Sequence, residues 1–233
     1  QMKSSSSSVK NKYTSLISIK PSGAKKAIFC FHGLGGDVFN YLSLVPAAGD
    51  KRPLFALRSP GLDGNVPTLG SIEEMAHHYI NELKSFQPEG PYFLTGSSLG
   101  GLIAYEVAYQ LSLRGEEVEK LVILDSFEDS KKPLSYKRIS ILNYLRVKLF
   151  KLLRLAIPQE INLFKVELNN YLAQLKYKMP QYSGNTFLIR RRHSANSKWF
   201  EAGLAQITVL EVDSDQSDLM ESSEAIKVFA TLV

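Results

Sequence analysis

Five residues, Gly96-Ser97-Ser98-Leu99-Gly100, carry the clearest chemistry in the chain. They follow a short apolar run, Tyr92-Phe93-Leu94, and precede a helical pattern through Leu102, Ile103, Tyr105, Val107 and Ala108. Alone, Gly-x-Ser-x-Gly also reads as an ordinary turn. Between a strand and a helix it is a nucleophile elbow, which holds a serine hydroxyl at the apex of a tight turn. Glycine is needed on either side because a Cβ there would stop the backbone from closing on itself. The helix N-terminus beneath Ser98 offers free N–H groups and the positive end of a dipole to a developing oxyanion. Acyl transfer further asks for a base to take the serine proton and a group to orient that base. Asp125 is a candidate for the latter, since it ends the apolar run Leu121–Leu124, although a strand-end Asp also serves as a turn or helix cap.

The elements that would position these residues alternate. Apolar runs at Ala27–Phe31, Leu54–Leu57, Tyr92–Leu94 and Leu121–Leu124 read as strands buried on both faces. Ser15–Lys20 reads as an edge strand, and Thr186–Ile189 and Ile207–Val212 as later ones. Ser71-Ile72-Glu73-Glu74 is a capping box that opens a helix to about Phe86, with apolar residues at Ile72, Met75, Ala76, Tyr79, Ile80 and Leu83. The elbow helix is expected to stop near Leu113 at Gly115, and a closing helix to begin near Ser223. This alternation predicts an α/β fold with a mostly parallel central sheet and helices on both faces. The interval 127–182 breaks the rhythm with helical patterns at Ile139–Ile157 and Leu163–Leu175, so it reads as a helical insertion. Residues 1–14, with five consecutive serines, read as a flexible linker or an added remnant, leaving a single domain over 15–233.

The formal net charge of +5 is unevenly placed: residues 127–186 carry a net +7, which leaves −2 for the rest. Nothing elsewhere combines basic and aromatic residues as a nucleic-acid module does, so nucleic acid is not an expected partner. The one cysteine, Cys30, rules out an internal disulfide and fits a reducing cytoplasm. Its apolar neighbours predict a buried, inert thiol. Neither a membrane-length apolar run nor a signal-peptide pattern is present, so membrane insertion is not expected.

Four stretches in order resemble one family. They are Phe29-Cys30-Phe31-His32-Gly33-Leu34-Gly35-Gly36, Pro60-Gly61-Leu62-Asp63-Gly64, Gly96-Ser97-Ser98-Leu99-Gly100-Gly101 and Leu121-Val122-Ile123-Leu124-Asp125-Ser126. Together they resemble the thioesterase domain that ends nonribosomal peptide and polyketide synthases, from about Lys26 to the C-terminus. The resemblance implies an α/β-hydrolase fold with a helical lid between the sixth and seventh strands. It implies a Ser98 acyl-enzyme, formed from a thioester on the phosphopantetheine arm of an acyl or peptidyl carrier protein and released by hydrolysis or cyclisation. No intrinsic cofactor or metal is implied, because phosphopantetheine arrives on the carrier. Leu34 and Leu99 would supply the oxyanion N–H groups. Asp125 would be the triad acid after the sixth strand, as in chain-terminating domains. Stand-alone editing enzymes place it one strand later, where Arg190-Arg191-Arg192-His193-Ser194 has no carboxylate.

The same resemblance expects a histidine where this chain has Gln216, in Val212-Asp213-Ser214-Asp215-Gln216-Ser217-Asp218. A primary amide does not accept a proton near neutral pH, so turnover is expected to be severely impaired. The four histidines do not obviously fill the gap. His32 lies in the glycine-rich loop, His77 and His78 on the capped helix, and His193 among arginines. Asp215 and Asp218 are weak substitute bases. Three explanations stay open: a His→Gln substitution that halts the cycle, a domain that has lost its base and binds without releasing, or another group acting as base. The basic helix Ile139–Ile157 is read as a solvated lid, as a surface for an acidic carrier protein, or as a membrane-surface helix. A lipase- or esterase-like hydrolase and a non-catalytic scaffold for acylated carrier are the competing functional readings.

Overall fold

The structure is a computed structural model that describes residues 15–124, 149, 152–153, 159–192, 199, 207–215 and 218–233. Its seven strands are β1 (Leu16–Lys20), β2 (Ile28–Phe31), β3 (Leu54–Leu57), β4 (Tyr92–Ser97), β5 (Val118–Leu124), β6 (Thr186–Arg191) and β7 (Ile207–Val212). They form one sheet in the order β1-β3-β2-β4-β5-β6-β7. Every pairing is parallel except β1 with β3, which is antiparallel with a register shift between Ser18 and Lys20. The mostly parallel sheet expected from the sequence is therefore present. Parallel strands direct their carboxyl ends to one edge of a sheet, where ligands bind in such folds. The elbow and the glycine-rich loop after β2 both lie at that edge.

Helices cover both faces. Helix α2 (Ile72–Phe86) and helix α3 (Leu99–Leu113) share one core with Phe29, Phe31, Leu94 and Leu121. The 3-10 turn Phe39–Leu44, the short helix α1 (Val45–Ala48) and the C-terminal helix α5 (Ser223–Leu232) close the other, over Ile28, Cys30, Phe93 and Val122. The turn and α1 have no sequence periodicity long enough to predict them. The cap of α2 differs in detail from the expected box. Ser71 Oγ accepts from Glu74 N–H at 3.2 Å, but the Glu74 carboxylate turns to Gly70 N–H at 2.8 Å. Cys30 is fully buried, and burial pushes its thiol well above the usual range, so the expectation of inertness holds.

Helix α4 (Gln159–Lys176) lies between β5 and β6, extending the predicted 163–175 pattern by about a turn at its start. Counted along this chain, the strand before the insertion is the fifth rather than the sixth. One strand of the family's count has no counterpart among the described residues. The return to the sheet is fixed on α3. Tyr177 donates to Glu106 at 2.7 Å, Tyr105 donates to the Pro180 carbonyl at 2.8 Å, and Tyr182 N–H donates to the Tyr105 hydroxyl at 3.1 Å. Most of Ile139–Ile157 lies outside the described residues. Of that stretch, Leu149, Leu152 and Leu153 are exposed. No helix among the described residues is long and apolar enough to cross a membrane.

Helix α3 is buried nearly all round, because it crosses β2, β4 and β5 at the centre of the sheet. Its first turn approaches so closely that a Cβ on Gly100 would overlap the Phe31 carbonyl oxygen, and one on Gly96 would overlap the Gly100 carbonyl. Both obstacles are backbone atoms, which cannot swing aside. Gly100→Ala is therefore expected to destabilise the fold by about 2–4 kcal/mol. Urea unfolding of the variant beside the parent checks this; an unchanged midpoint would contradict the packing described.

Candidate active site

Ser98 is the N-cap of α3 and has φ 55° and ψ −123°. Among the described residues it is the one non-glycine with positive φ. Such a conformation costs of order 1–3 kcal/mol and persists only where its surroundings enforce it. The enforcement is visible. Ser98 N–H donates to Leu124 O at 3.3 Å on the neighbouring strand, and Gly101 N–H closes the turn onto Ser98 O at 3.0 Å. Ser98 stays partly accessible while its neighbours from Tyr92 to Ser97 and from Leu99 to Ala108 are buried. Its hydroxyl has no hydrogen-bond partner among the described residues. Leu99 is the first residue of α3, so its N–H is one of those a helix leaves unpaired.

Leu34 lies in the loop that leaves β2. The Gly33 carbonyl, which shares a peptide plane with Leu34 N–H, is held from two directions: His32 Nδ1 donates to it at 2.8 Å and Gly36 N–H at 3.0 Å. A trans peptide points its N–H away from its C=O, so these bonds also set the direction of the Leu34 N–H. Because Nδ1 must be the donor, Nε2 is the acceptor, and it takes the Tyr79 hydroxyl proton at 2.7 Å. His32 is thus a neutral, fully buried orienting group with both nitrogens engaged, and burial pulls its pKa down to about 4.

Tyr41 joins the two halves of the site. Its buried hydroxyl donates to Phe31 O at 2.5 Å and accepts from Ser97 N–H at 3.1 Å, tying the end of β2 to the elbow. Burial pushes this phenol far above its ordinary range. Nothing in the local sequence distinguishes Tyr41 from any aromatic in a turn, so sequence reasoning missed it.

The remaining predicted residues are placed unevenly. Asp125 and Gln216 lie outside the described residues, as does His193. Leu124, immediately before Asp125, pairs with Ser97 at the elbow. Of the two proposed substitute bases, Asp218 is occupied as a cap, accepting from Met220 N–H at 3.0 Å, and Asp215 is exposed. His78 contacts Ser15 Oγ at 3.1 Å and Glu82 at 3.3 Å, and His77 contacts Arg114 at 3.2 Å. Both histidines are engaged on α2, as the helix position suggested. Arg190 on β6 meets Glu211 across β7 at 2.6 Å, and Arg192 meets Asp213 at 3.3 Å. No group of side chains able to hold a metal ion occurs among the described residues.

The buried state of His32 makes stability depend on pH. Its folded pKa of about 4 lies below the ordinary 6.5, so the unfolded chain binds the extra proton first. The contribution is complete above pH 6.5 and is lost as pH falls from there towards 4, by an amount on the order of 2–3 kcal/mol. Urea unfolding at pH 7 and pH 5 is expected to show a smaller loss in His32→Asn than in the parent; equal losses would contradict the assignment.

Comparison with known proteins shows what the chain is similar to. Residues 26–138 match the family model described as thioesterase domain. The chain is 39% identical over 105 residues to a nonribosomal peptide synthetase, btyA, of Aspergillus terreus, and 38% identical over 122 residues to a non-reducing polyketide synthase of Pseudevernia furfuracea. Those segments are 45% and 52% of this chain but only 11% and 6% of the relatives, so the chain spans a small part of their length. Its fold is similar to the NocB thioesterase domain, solved in covalent complex with a fluorophosphonate nocardicin G analogue. The TM-score is 0.73 at 23% identity, with 93% of this chain and 97% of that one covered. Through residues 26–138, the segment that carries Leu34 and Ser98, the chain is similar to the thioesterase domain family, and its fold is that of the α/β-hydrolase thioesterase domains.

Proposed function

We propose that this domain releases an acyl chain, polyketide or peptide, from the phosphopantetheine thioester of a carrier protein. The observation that carries the reading is the left-handed backbone of Ser98 at the junction of β4 and α3. In the first step the Ser98 oxygen bonds to the thioester carbonyl carbon. The carbon–sulfur bond then breaks, the serine proton ends on the departing thiol, and an acyl-enzyme remains. Water, or a nucleophile within the acyl chain, repeats the attack and frees Ser98. The N–H groups of Leu34 and Leu99 receive the carbonyl oxygen as it gains charge, where a donor in place is worth about 10²–10³ in rate. Asp125 is the acid that would orient a base; the residue before it in sequence, Leu124, accepts from Ser98 N–H.

Gln216 takes the place of that base, so we infer slow turnover in this sequence. An amide cannot hold the proton between Ser98 and the leaving thiol. This one substitution favours a second reading, a domain that holds acylated carrier without releasing it. The synthetases and synthases to which the chain is similar support a carrier protein as the partner; the single cysteine is the ground for placing the reaction in the cytoplasm.

Gln216→His is expected to raise hydrolysis of a model acyl thioester by about 10²–10⁴-fold, the usual contribution of a general base. Adding Ser98→Ala to that variant should remove the gain. A Gln216→His protein no faster than the parent would count against a triad in this domain.

A further inference from the structure

The loop Gly33-Leu34-Gly35-Gly36 is three-quarters glycine, and glycine leaves a backbone free to rotate. A loop with that freedom aims an N–H reliably only if something outside it fixes the peptide planes on either side of Leu34. His32 and Gly36 N–H fix the plane before it. The plane after it is fixed from the insertion. Asn170 of α4, fully buried, donates from Nδ2 to Leu34 O at 3.0 Å across a sequence separation of 136 residues. Beside it, Val166 covers the loop so closely that a Cβ on Gly36, at φ +84°, would lie 2.8 Å from Val166 Cγ1.

The geometry points to Asn170 as a positioning residue for the oxyanion loop, supplied by the helix of the insertion rather than by the hydrolase core. This rests on the acyl-transfer reading above. Two observations separate it from ordinary docking of a helix. Asn170 Oδ1 is buried and has no hydrogen-bond partner among the described residues. A leucine of similar size would carry no such unpaired acceptor, so the asparagine is not the stabilising choice for the site. The neighbouring Asn169 makes a bond of the same kind, from Nδ2 to Leu69 O, away from the oxyanion loop. Helix α4 therefore has one anchor on the loop that aims Leu34 N–H and another that does not. A displacement of α4 would release the donor, which couples the insertion to the chemistry at Ser98.

The test compares Asn170→Leu and Asn169→Leu in the full chain by two measurements. The first is hydrogen exchange at Gly36 N–H, the bond that closes the loop onto Gly33 O. The second is the rate of Ser98 phosphonylation by an alkyl fluorophosphonate, followed by intact mass and peptide mapping. Asn170→Leu should speed Gly36 exchange and slow phosphonylation, each about ten-fold, a part of what deleting an oxyanion donor costs. The probe concentration for half-saturation should not change. Asn169→Leu should alter neither. If the leucine variant does not fold, Asn170→Asp replaces it. Its ionised carboxylate cannot donate to Leu34 O, and exchange relative to the parent should fall back as acid restores the proton. Unchanged Gly36 exchange in the Asn170 variants, equal effects in Asn169→Leu, or labelling that proceeds at the parent rate would each overturn the inference. A chain whose Ser98 never labels even with Gln216→His added, with Gly36 exchange responding as expected, would instead overturn the acyl-transfer reading and leave the loop anchor standing.

Discussion

One steric contact governs the site: helix α3 meets β2 and β4 backbone to backbone, with no side chain between them. Gly96 and Gly100 allow it, since a Cβ at either position would overlap a carbonyl group. Once the helix is that close, the single residue joining it to β4 has no relaxed conformation left, and Ser98 is driven to φ 55°. The strain is held by the sheet. β4 is central, paired with β2 and β5 along its length, and Ser98 N–H is itself taken up by Leu124 O. Burial of the apolar strands and of α3 thus supplies the free energy that keeps a partly accessible serine in a poor backbone geometry.

A second set of bonds aims the other side of the site. The path Tyr79 to His32 to the Gly33 carbonyl sets the peptide that carries Leu34 N–H, and Tyr41 ties the base of that loop to Ser97. Each of these hydroxyls and rings is buried, so each bond forms where water does not compete for its partners. The insertion joins the arrangement through α4, and its return is pinned to α3 by Tyr105 and Tyr177. An element that would face the acyl chain is in this way mechanically continuous with the loop that would bind its carbonyl.

Much of this was legible in the sequence for a simple reason. Strands buried on both faces leave uninterrupted apolar runs, and Ile28–Phe31, Leu54–Leu57 and Leu121–Leu124 are such runs. The elbow was legible because its glycines answer a local steric demand. β5 begins three residues earlier than the apolar run, since Val118, Glu119 and Lys120 are only half buried. β6 runs on to Arg191, because Arg190 finds a carboxylate, Glu211, on the adjoining strand. Tyr41, Tyr79 and Asn170 were not legible as site residues. Each acts on a partner 47 to 136 residues away or ties together two strand ends, and in one dimension an asparagine on an amphipathic helix looks like any solvated polar residue. The reading of Gln216 and Asp125 rests on the family resemblance, because both lie outside the described residues.

The proposed oxyanion hole requires the strained Ser98 to face two backbone donors, Leu34 N–H and Leu99 N–H, set by separate parts of the fold. A crystal structure of the chain after reaction with a fluorophosphonate would reveal whether it does. Phosphorus is expected bonded to Ser98 Oγ, with the phosphonyl oxygen about 2.7–3.1 Å from both Leu34 N and Leu99 N. An adduct on any other side chain, or one on Ser98 whose oxygen points into solvent away from both amides, would contradict it.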